Sequence, residues 1–447
     1  MKNKKVIFYT GLVILFLLAS SIYRIKFYKS YASDEATLPP ELKDKTIVRL
    51  WAKKSVISPT RSYQIDKFNI ENKDNIHIIF EEYKEDYYNA LRTTLAAGHG
   101  ADLFEYGYST LMKNNQIADL NSLGMNLENI DKSNVVYYKD MALGIKLFEN
   151  SGKLIWNKEI FKKAGIDPNK PPTTWEEVTD YALKIKKAFP EVTPFAFPIK
   201  EYEDMKISIG EPSVNNGSLY TTFWDYKKGE YNFNGAKDIL SVYNKLYDSG
   251  FIDEEFDKKS KNQLRGEFYR GEIAMMISTF EDKGYFSNIL PLSFDIGIKD
   301  IIQTNKGEKN KYYYTTNSNF LVVNSEAIKE NKKREAVKKV YEFLVNEDAN
   351  REILETRYAM PLNLKSKEVK NDIYKEYNNL EKYYSESYDP TLFLSRNSRA
   401  EINLVLEAIR GNKTVDAAIE ELNKQYKNYC KFAVEKEGFD FKYYIEK

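Results

Sequence analysis

Between residues 46 and 106 the apolar positions change period from element to element. Thr46–Ala52 (TIVRLWA) alternates and is β-branched, which predicts a strand. From Ser62 to Ile70 the positions Tyr63, Phe68 and Ile70 fall at helical spacing, and Ile76–Phe80 (IHIIF) is a short apolar run that reads as a buried strand. Tyr87–Ala97 (YYNALRTTLAA) reads as a helix stopped by Gly98, and Ala101–Tyr106 (ADLFEY) as a third strand. Strand, helix, strand, helix, strand at this spacing implies parallel βαβ units, in which ligands bind outside the carboxyl ends of the strands.

Further along, Thr174 and Glu177 fit a capping box, with the Thr174 hydroxyl accepting from the Glu177 N–H and the Glu177 carboxylate reaching back. That helix continues through Val178, Tyr181, Ala182 and Ile185. Gly271–Ser278 (GEIAMMIS) is a short buried strand, and Phe320–Asn324 (FLVVN) returns to a β pattern. Arg334–Val345 and Thr414–Tyr429 each place their apolar residues on one helical face.

The N-terminus differs from all of this. Val6–Tyr23 is an uncharged run of near membrane-spanning length, preceded by Lys2, Lys4 and Lys5. It reads either as an uncleaved anchor or as a cleaved signal peptide. Asp34–Lys45 is polar and contains proline, and reads as a linker.

Composition narrows the function. The chain has 447 residues, more than one ordinary core accommodates, so two or three domains are expected. The six basic residues before residue 34 have no acidic counterpart; without them, 61 basic face 66 acidic residues, a net of −5. This mildly acidic balance argues against a nucleic-acid binder. One cysteine, Cys430, excludes an internal disulfide. The two histidines, His77 and His99, form no metal-ligand spacing and no catalytic set, and no cofactor motif is present.

The block Ile155-Trp156-Asn157-Lys158-Glu159-Ile160-Phe161, Ala164-Gly165-Ile166-Asp167 and Pro172-Thr173-Thr174-Trp175-Glu176-Glu177 resembles the signature of the extracellular solute-binding proteins of family 1, the sugar-binding group of ABC importers. Leu95–Tyr106, Phe268–Phe280, Ala336–Arg351 with Met360-Pro361, and Gly411–Leu422 resemble further blocks of that family in the same order. Three departures stand out. Leu18-Ala19-Ser20-Ser21 resembles a lipoprotein cleavage site without its cysteine. Thr316-Asn317-Ser318-Asn319 replaces a glycine pair, and Phe280 stands where a tryptophan is frequent.

The resemblance implies an α/β periplasmic-binding-protein fold of two lobes, each a mixed sheet flanked by helices, joined at a hinge and preceded by the signal or anchor helix. Residues 1–33 are then the signal or anchor, 34–45 the linker, 46–148 with 279–360 the N-terminal lobe, and 149–278 with 361–447 the C-terminal lobe. Crossovers are expected near Lys146–Gly152, Ser278–Phe280 and Arg357–Pro361. The resemblance further implies a monomer at the extracellular face of the bacterial cytoplasmic membrane. It would be held there by its N-terminal segment, capture a carbohydrate, with an oligosaccharide favoured, and deliver it to the permease subunits of an ABC transporter. It implies no enzymatic activity and no cofactor.

A sugar site needs aromatic platforms for C–H faces and carboxylates, amides or guanidinium groups for hydroxyls. Positions that correspond to family cleft loops are Trp51, Glu81, Glu82, Tyr106, Tyr108, Trp224, Phe280, Glu281, Arg357, Tyr358 and Arg396, with Arg399 beside the last. Trp51 and Trp224 read equally as core, Glu81 and Glu82 as solvated surface. Three other functions stay open: a surface glycosidase with a carboxylate pair, an anchored sensor acting through a partner kinase, and a binding protein for a non-sugar solute.

Overall fold

The computed structural model describes residue 9, residues 11–23, and residues 38–447 except 85, 99, 107–114, 129, 215–217, 305–311, 317–319, 363, 379–382, 387–388 and 446–447. Residues 11–23 are helical and exposed. Among the described residues no helix is long and apolar enough to cross a membrane.

The βαβ reading of residues 46–106 holds closely. β1 (Thr46–Lys53), α1 (Ser58–Glu71), β2 (Ile76–Tyr83), α2 (Tyr87–Ala96) and β3 (Leu103–Tyr106) follow in that order. β1 is parallel to both β2 and β3, with Trp51 level with Glu81 on one side and Phe104 on the other. Alternation sorts the faces. Val48 and Leu50 join Ile76, Ile78 and Leu103 in one apolar core, while Trp51 and Phe104 join Tyr87, Leu91 and Leu95 under α2 in another.

The chain continues through β4 (Val135–Tyr138), β5 (Met141–Lys146), β6 (Phe148–Asn150), β7 (Gly152–Asn157), α3 (Lys158–Lys163), α4 (Trp175–Ala188), β8 (Thr193–Ala196), β9 (Trp224–Asp225), β10 (Glu230–Tyr231), α5 (Lys237–Asp248), α6 (Lys261–Tyr269), β11 (Ile273–Thr279) and α7 (Phe280–Gly284). It ends with β12 (Ile296–Asp300), β13 (Tyr312–Thr316), β14 (Phe320–Val323), α8 (Asn331–Val345), α9 (Glu347–Glu355), β15 (Met360–Pro361), β16 (Tyr383–Ser385), α10 (Ser398–Ile409) and α11 (Val415–Glu437).

These strands make two mixed sheets, one per lobe, as in a two-lobed periplasmic-binding-protein fold. The first has the order β2-β1-β3-β14-β5-β4 and the second β12-β7-β11-β8. A small third sheet, β15-β6-β13-β16, gathers segments that run between them, and β9 pairs with β10 as a separate hairpin. The chain leaves the first sheet after Lys146 and enters the second at Gly152, passing through β6 on the way.

The expected boundary at residue 279 falls elsewhere. After β11 the chain does not return to the first sheet: β12 lies antiparallel to β7, from Ile296 opposite Asn157 to Asp300 opposite Lys153. Five paired residues at the edge of β7 hold this segment in the second sheet, helped by the buried Lys153 ammonium, 2.6 Å from the Asp300 carboxylate. Passage to the first sheet therefore occurs between β12 and β14.

Local capping follows the sequence with one change. The Glu177 N–H donates to the Thr174 hydroxyl at 3.1 Å, but the Glu177 carboxylate accepts from the N–H and hydroxyl of Thr173, at 2.5 and 2.7 Å, rather than from Thr174. α11 is capped by the Thr414 hydroxyl and stops at Gly438, whose φ of 62° suits a residue without a Cβ.

Candidate functional site

The carboxyl ends of β1, β3 and β11 open onto one cleft of about 200 Å³. The first lobe contributes Lys53, Lys54, Ser55, Val56 and Ile57 after β1, and Glu105 near the end of β3. The second contributes Lys261 at the start of α6 and Phe280 with Glu281 after β11. Phe148, Asn150, Tyr358 and Ala359 line it from the segments that run between the lobes.

Each of these walls is built from local rules. At α7, Asp282 closes a capping box: its carboxylate accepts from the Thr279 N–H at 2.9 Å and from the Ser278 hydroxyl at 2.7 Å. The same carboxylate binds the buried Arg265 guanidinium, whose other nitrogen reaches Glu281 at 3.1 Å. Arg265 also lies over the Tyr285 ring at 4.1 Å. Charge pairing and stacking thus fix the direction of Glu281 at the cleft edge. Asn150 ties two walls together, its side-chain oxygen accepting from the Phe280 N–H at 3.1 Å. The Tyr358 ring lies against Gly284: a Cβ there would lie 2.3 Å from the ring, so only glycine allows this approach.

The electrostatics of the first-lobe wall centre on Glu105. Burial pushes its carboxyl above the usual range, the Arg61 guanidinium pulls it back, and Glu82 adds to the rise. Arg61 itself is 4% exposed, donates to Gln64 at 3.0 Å, and has its guanidinium pKa lowered by burial. On the second-lobe wall Lys261 is paired with Asp204 at 2.9 Å.

The expected site residues fall into several places. Phe280, Glu281 and Tyr358 come together in the cleft. Trp51 is 6% exposed and buried under α2, its indole N–H donating to Glu81 and its ring 4.8 Å from Tyr83. Glu81 faces Arg49 at 3.9 Å. Glu82 is half-buried, with one carboxylate oxygen that has no hydrogen-bond partner among the described residues.

Trp224 is fully buried, donates to the Tyr444 carbonyl at 3.0 Å, and packs on Tyr231 and Phe441. The hairpin β9–β10 closes over it, so it serves the second-lobe core rather than the cleft. Arg357, beside the cleft residue Tyr358, has a φ of 65° and a buried Nε without a partner among the described residues. Arg396 stacks on Tyr202 at 3.7 Å and pairs with the buried Glu401 at 2.8 Å, while Arg399 is exposed. Tyr108 and the side chain of Tyr106 lie outside the described residues.

Lys53, Lys54, Glu105, Asn150 and Lys261 line the cleft without having been expected there. For the first three the sequence carries a signal, since each lies at the carboxyl end of a strand legible as such; Asn150 lies in the expected crossover Lys146–Gly152, and Lys261 carries none. Among the described residues no group of three His, Cys, Asp or Glu side chains is placed to hold a metal ion. Cys430 is half-buried and burial pushes its thiol up to about 12, which suppresses thiolate chemistry.

Known proteins place this architecture. Residues 54–351 match the model of the bacterial extracellular solute-binding protein family. The sn-glycerol-3-phosphate-binding periplasmic protein UgpB of Escherichia coli K12 is 34% identical over 136 residues, which span 27% of this chain and 31% of UgpB. Maltose-bound MalE3 of T. maritima superimposes with a TM-score of 0.69 at 18% identity, over 86% of this chain and 99% of that one. An ABC substrate-binding protein of Listeria monocytogenes in complex with cycloalternan gives 0.65 at 18% identity, over 89% and 100%. With two lobes, a cleft at the strand ends and a family match over most of its length, the chain belongs to the bacterial extracellular solute-binding proteins.

Proposed function

We propose that this protein captures a carbohydrate in the cleft between its lobes and hands it to the permease of an ABC importer, without transforming it. The mixed lining of the cleft carries this reading. Tyr358, half-buried, offers an apolar face for sugar C–H groups, with Phe148 and Phe280 adding only the 7% and 2% of their surface that stays exposed, while Glu105 and Glu281 offer acceptors for hydroxyls. Maltose and cycloalternan as the ligands of the two superimposed proteins support the same class. UgpB favours a second reading, in which the solute is a small phosphorylated polyol.

In this account the protein works as a monomer at the extracellular face of the membrane, held by its N-terminal segment. Ligand selects the closed arrangement because only closure brings both walls to it. Tethering keeps the loaded protein at high local concentration beside the permease.

The test is a thermal-shift screen of the full chain in mild detergent against mono- and oligosaccharides, with product analysis of the same mixtures. A sugar present at about 100 times its Kd adds about 2.7 kcal/mol to the folded state, a readily measured shift. A shift with one sugar class and no new product supports the proposal. Hydrolysis of any sugar, or no shift with any of them, overturns it.

A further inference from the structure

We infer that the solute carries an anionic group, a carboxylate or a phosphate or sulfate ester, that docks on the first-lobe wall at Lys53 and Lys54. The inference rests on the carbohydrate reading above and names the class of sugar.

Of the charged side chains that line the cleft, most are already neutralised within the protein. Glu281 is held by Arg265 at 3.1 Å and Lys261 by Asp204 at 2.9 Å. Glu105 lies in the field of the buried Arg61. Lys53 and Lys54 are the exception: both are exposed at the cleft, and neither has a carboxylate within ion-pair distance among the described residues. Two adjacent lysines with no internal counter-ion leave positive charge directed at whatever fills the cleft.

The backbone adds to this charge. Ser55, Val56 and Ile57, which also line the cleft, lead into α1, a 14-residue helix. Its first turn contains no acidic residue and its N-cap, Ile57, makes no side-chain hydrogen bond. The Ser58 N–H already donates to the Ser55 carbonyl at 3.2 Å and Pro59 has none, so the helix contributes the positive field of its end rather than open donors beside the two lysines. Two adjacent ammonium groups suit carboxylate or phosphate oxygens. The aromatic and acceptor groups across the cleft remain for the rest of the sugar.

The experiment is calorimetric titration of the full chain in mild detergent with digalacturonate, with the neutral disaccharide galactobiose, and with glycerol 3-phosphate, each at low and high salt. The expected result is at least tenfold tighter binding of digalacturonate than of galactobiose at low salt, a gap that narrows as salt screens the lysines. The double variant Lys53→Gln, Lys54→Gln should bind the two within about threefold of each other while unfolding at the same temperature as the parent, since both side chains are exposed.

Equal or tighter binding of galactobiose overturns the inference and leaves the carbohydrate reading intact. Binding of glycerol 3-phosphate alone sustains the anion dock and overturns the carbohydrate reading. A preference for digalacturonate unchanged in the double variant overturns the placement at Lys53 and Lys54, and no binding of any probe overturns both readings.

Discussion

The side-chain oxygen of Asn150 accepts a hydrogen bond from the backbone N–H of Phe280 at 3.1 Å. Asn150 lies on β6, between the two main sheets, and Phe280 begins α7 after the central strand of the second. With the Ser151 N–H donating to the same oxygen at 3.0 Å, Asn150 ties the start of α7 to the segment that joins the lobes. Asn150→Ala is expected to cost about 1 kcal/mol in unfolding free energy and roughly fivefold in ligand affinity, checked by urea denaturation and calorimetry. Unchanged affinity would mean that Phe280 is positioned by its own helix alone.

The contact between Tyr358 and Gly284 gives a second expectation. Gly284→Ala places a methyl group against the Tyr358 ring, which must shift. A loss of about 1–3 kcal/mol is expected, with weakened binding because Tyr358 lines the cleft. Combining Gly284→Ala with Tyr358→Ala should cost less than the sum of the two, a coupling that a double-mutant cycle measures.

Trp224 separates core from site. Trp224→Ala should destabilise the protein by about 3–5 kcal/mol, since the indole is fully buried and hydrogen-bonded. Trp224→Phe should lose less stability and leave affinity unchanged. A loss of affinity in the phenylalanine variant, with stability largely retained, would return Trp224 to the site.

Glu386 gives a pH dependence. Its carboxylate is buried and accepts from the Thr221 N–H and hydroxyl at 2.5 and 3.0 Å, with Asp389 and Lys206 nearby and the Lys146 ammonium on its own carbonyl at 2.9 Å. Burial raises its pKa to about 7, against an ordinary carboxylate value of 4.5. A raised folded-state pKa means that the folded chain holds the proton more tightly. The resulting stability is present below pH 4.5 and lost as pH rises through 7. Relative to Glu386→Gln, the parent should therefore lose stability progressively across that window. Parallel curves from urea denaturation at each pH would contradict this.

How much of this was legible in the sequence differs by element. β1 to β3 and their helices were readable because period-two and helical spacing alternate cleanly and Gly98 marks a stop. β12 was not, because the five residues of Ile296–Asp300 carry no signal for which sheet they join; pairing with β7, more than a hundred residues earlier, decides it. The cluster around Trp224 reads identically as platform or core until the hairpin that covers it is placed. Phe280, Glu281 and Tyr358 were reachable through the family blocks. Lys53 and Glu105 required knowing that the ends of β1 and β3 meet those of a strand far along the chain.

The central claim is that the cleft holds a sugar and releases it unchanged. The most direct measurement is calorimetric titration of the full chain and of a Glu281→Gln, Tyr358→Ala variant with the sugar that gives the largest thermal shift, followed by chromatography of the recovered sugar. The account expects saturable one-to-one binding, at least tenfold weaker in the variant, with the sugar recovered intact. Binding that is indifferent to both substitutions, or recovery of a cleaved product, would contradict it.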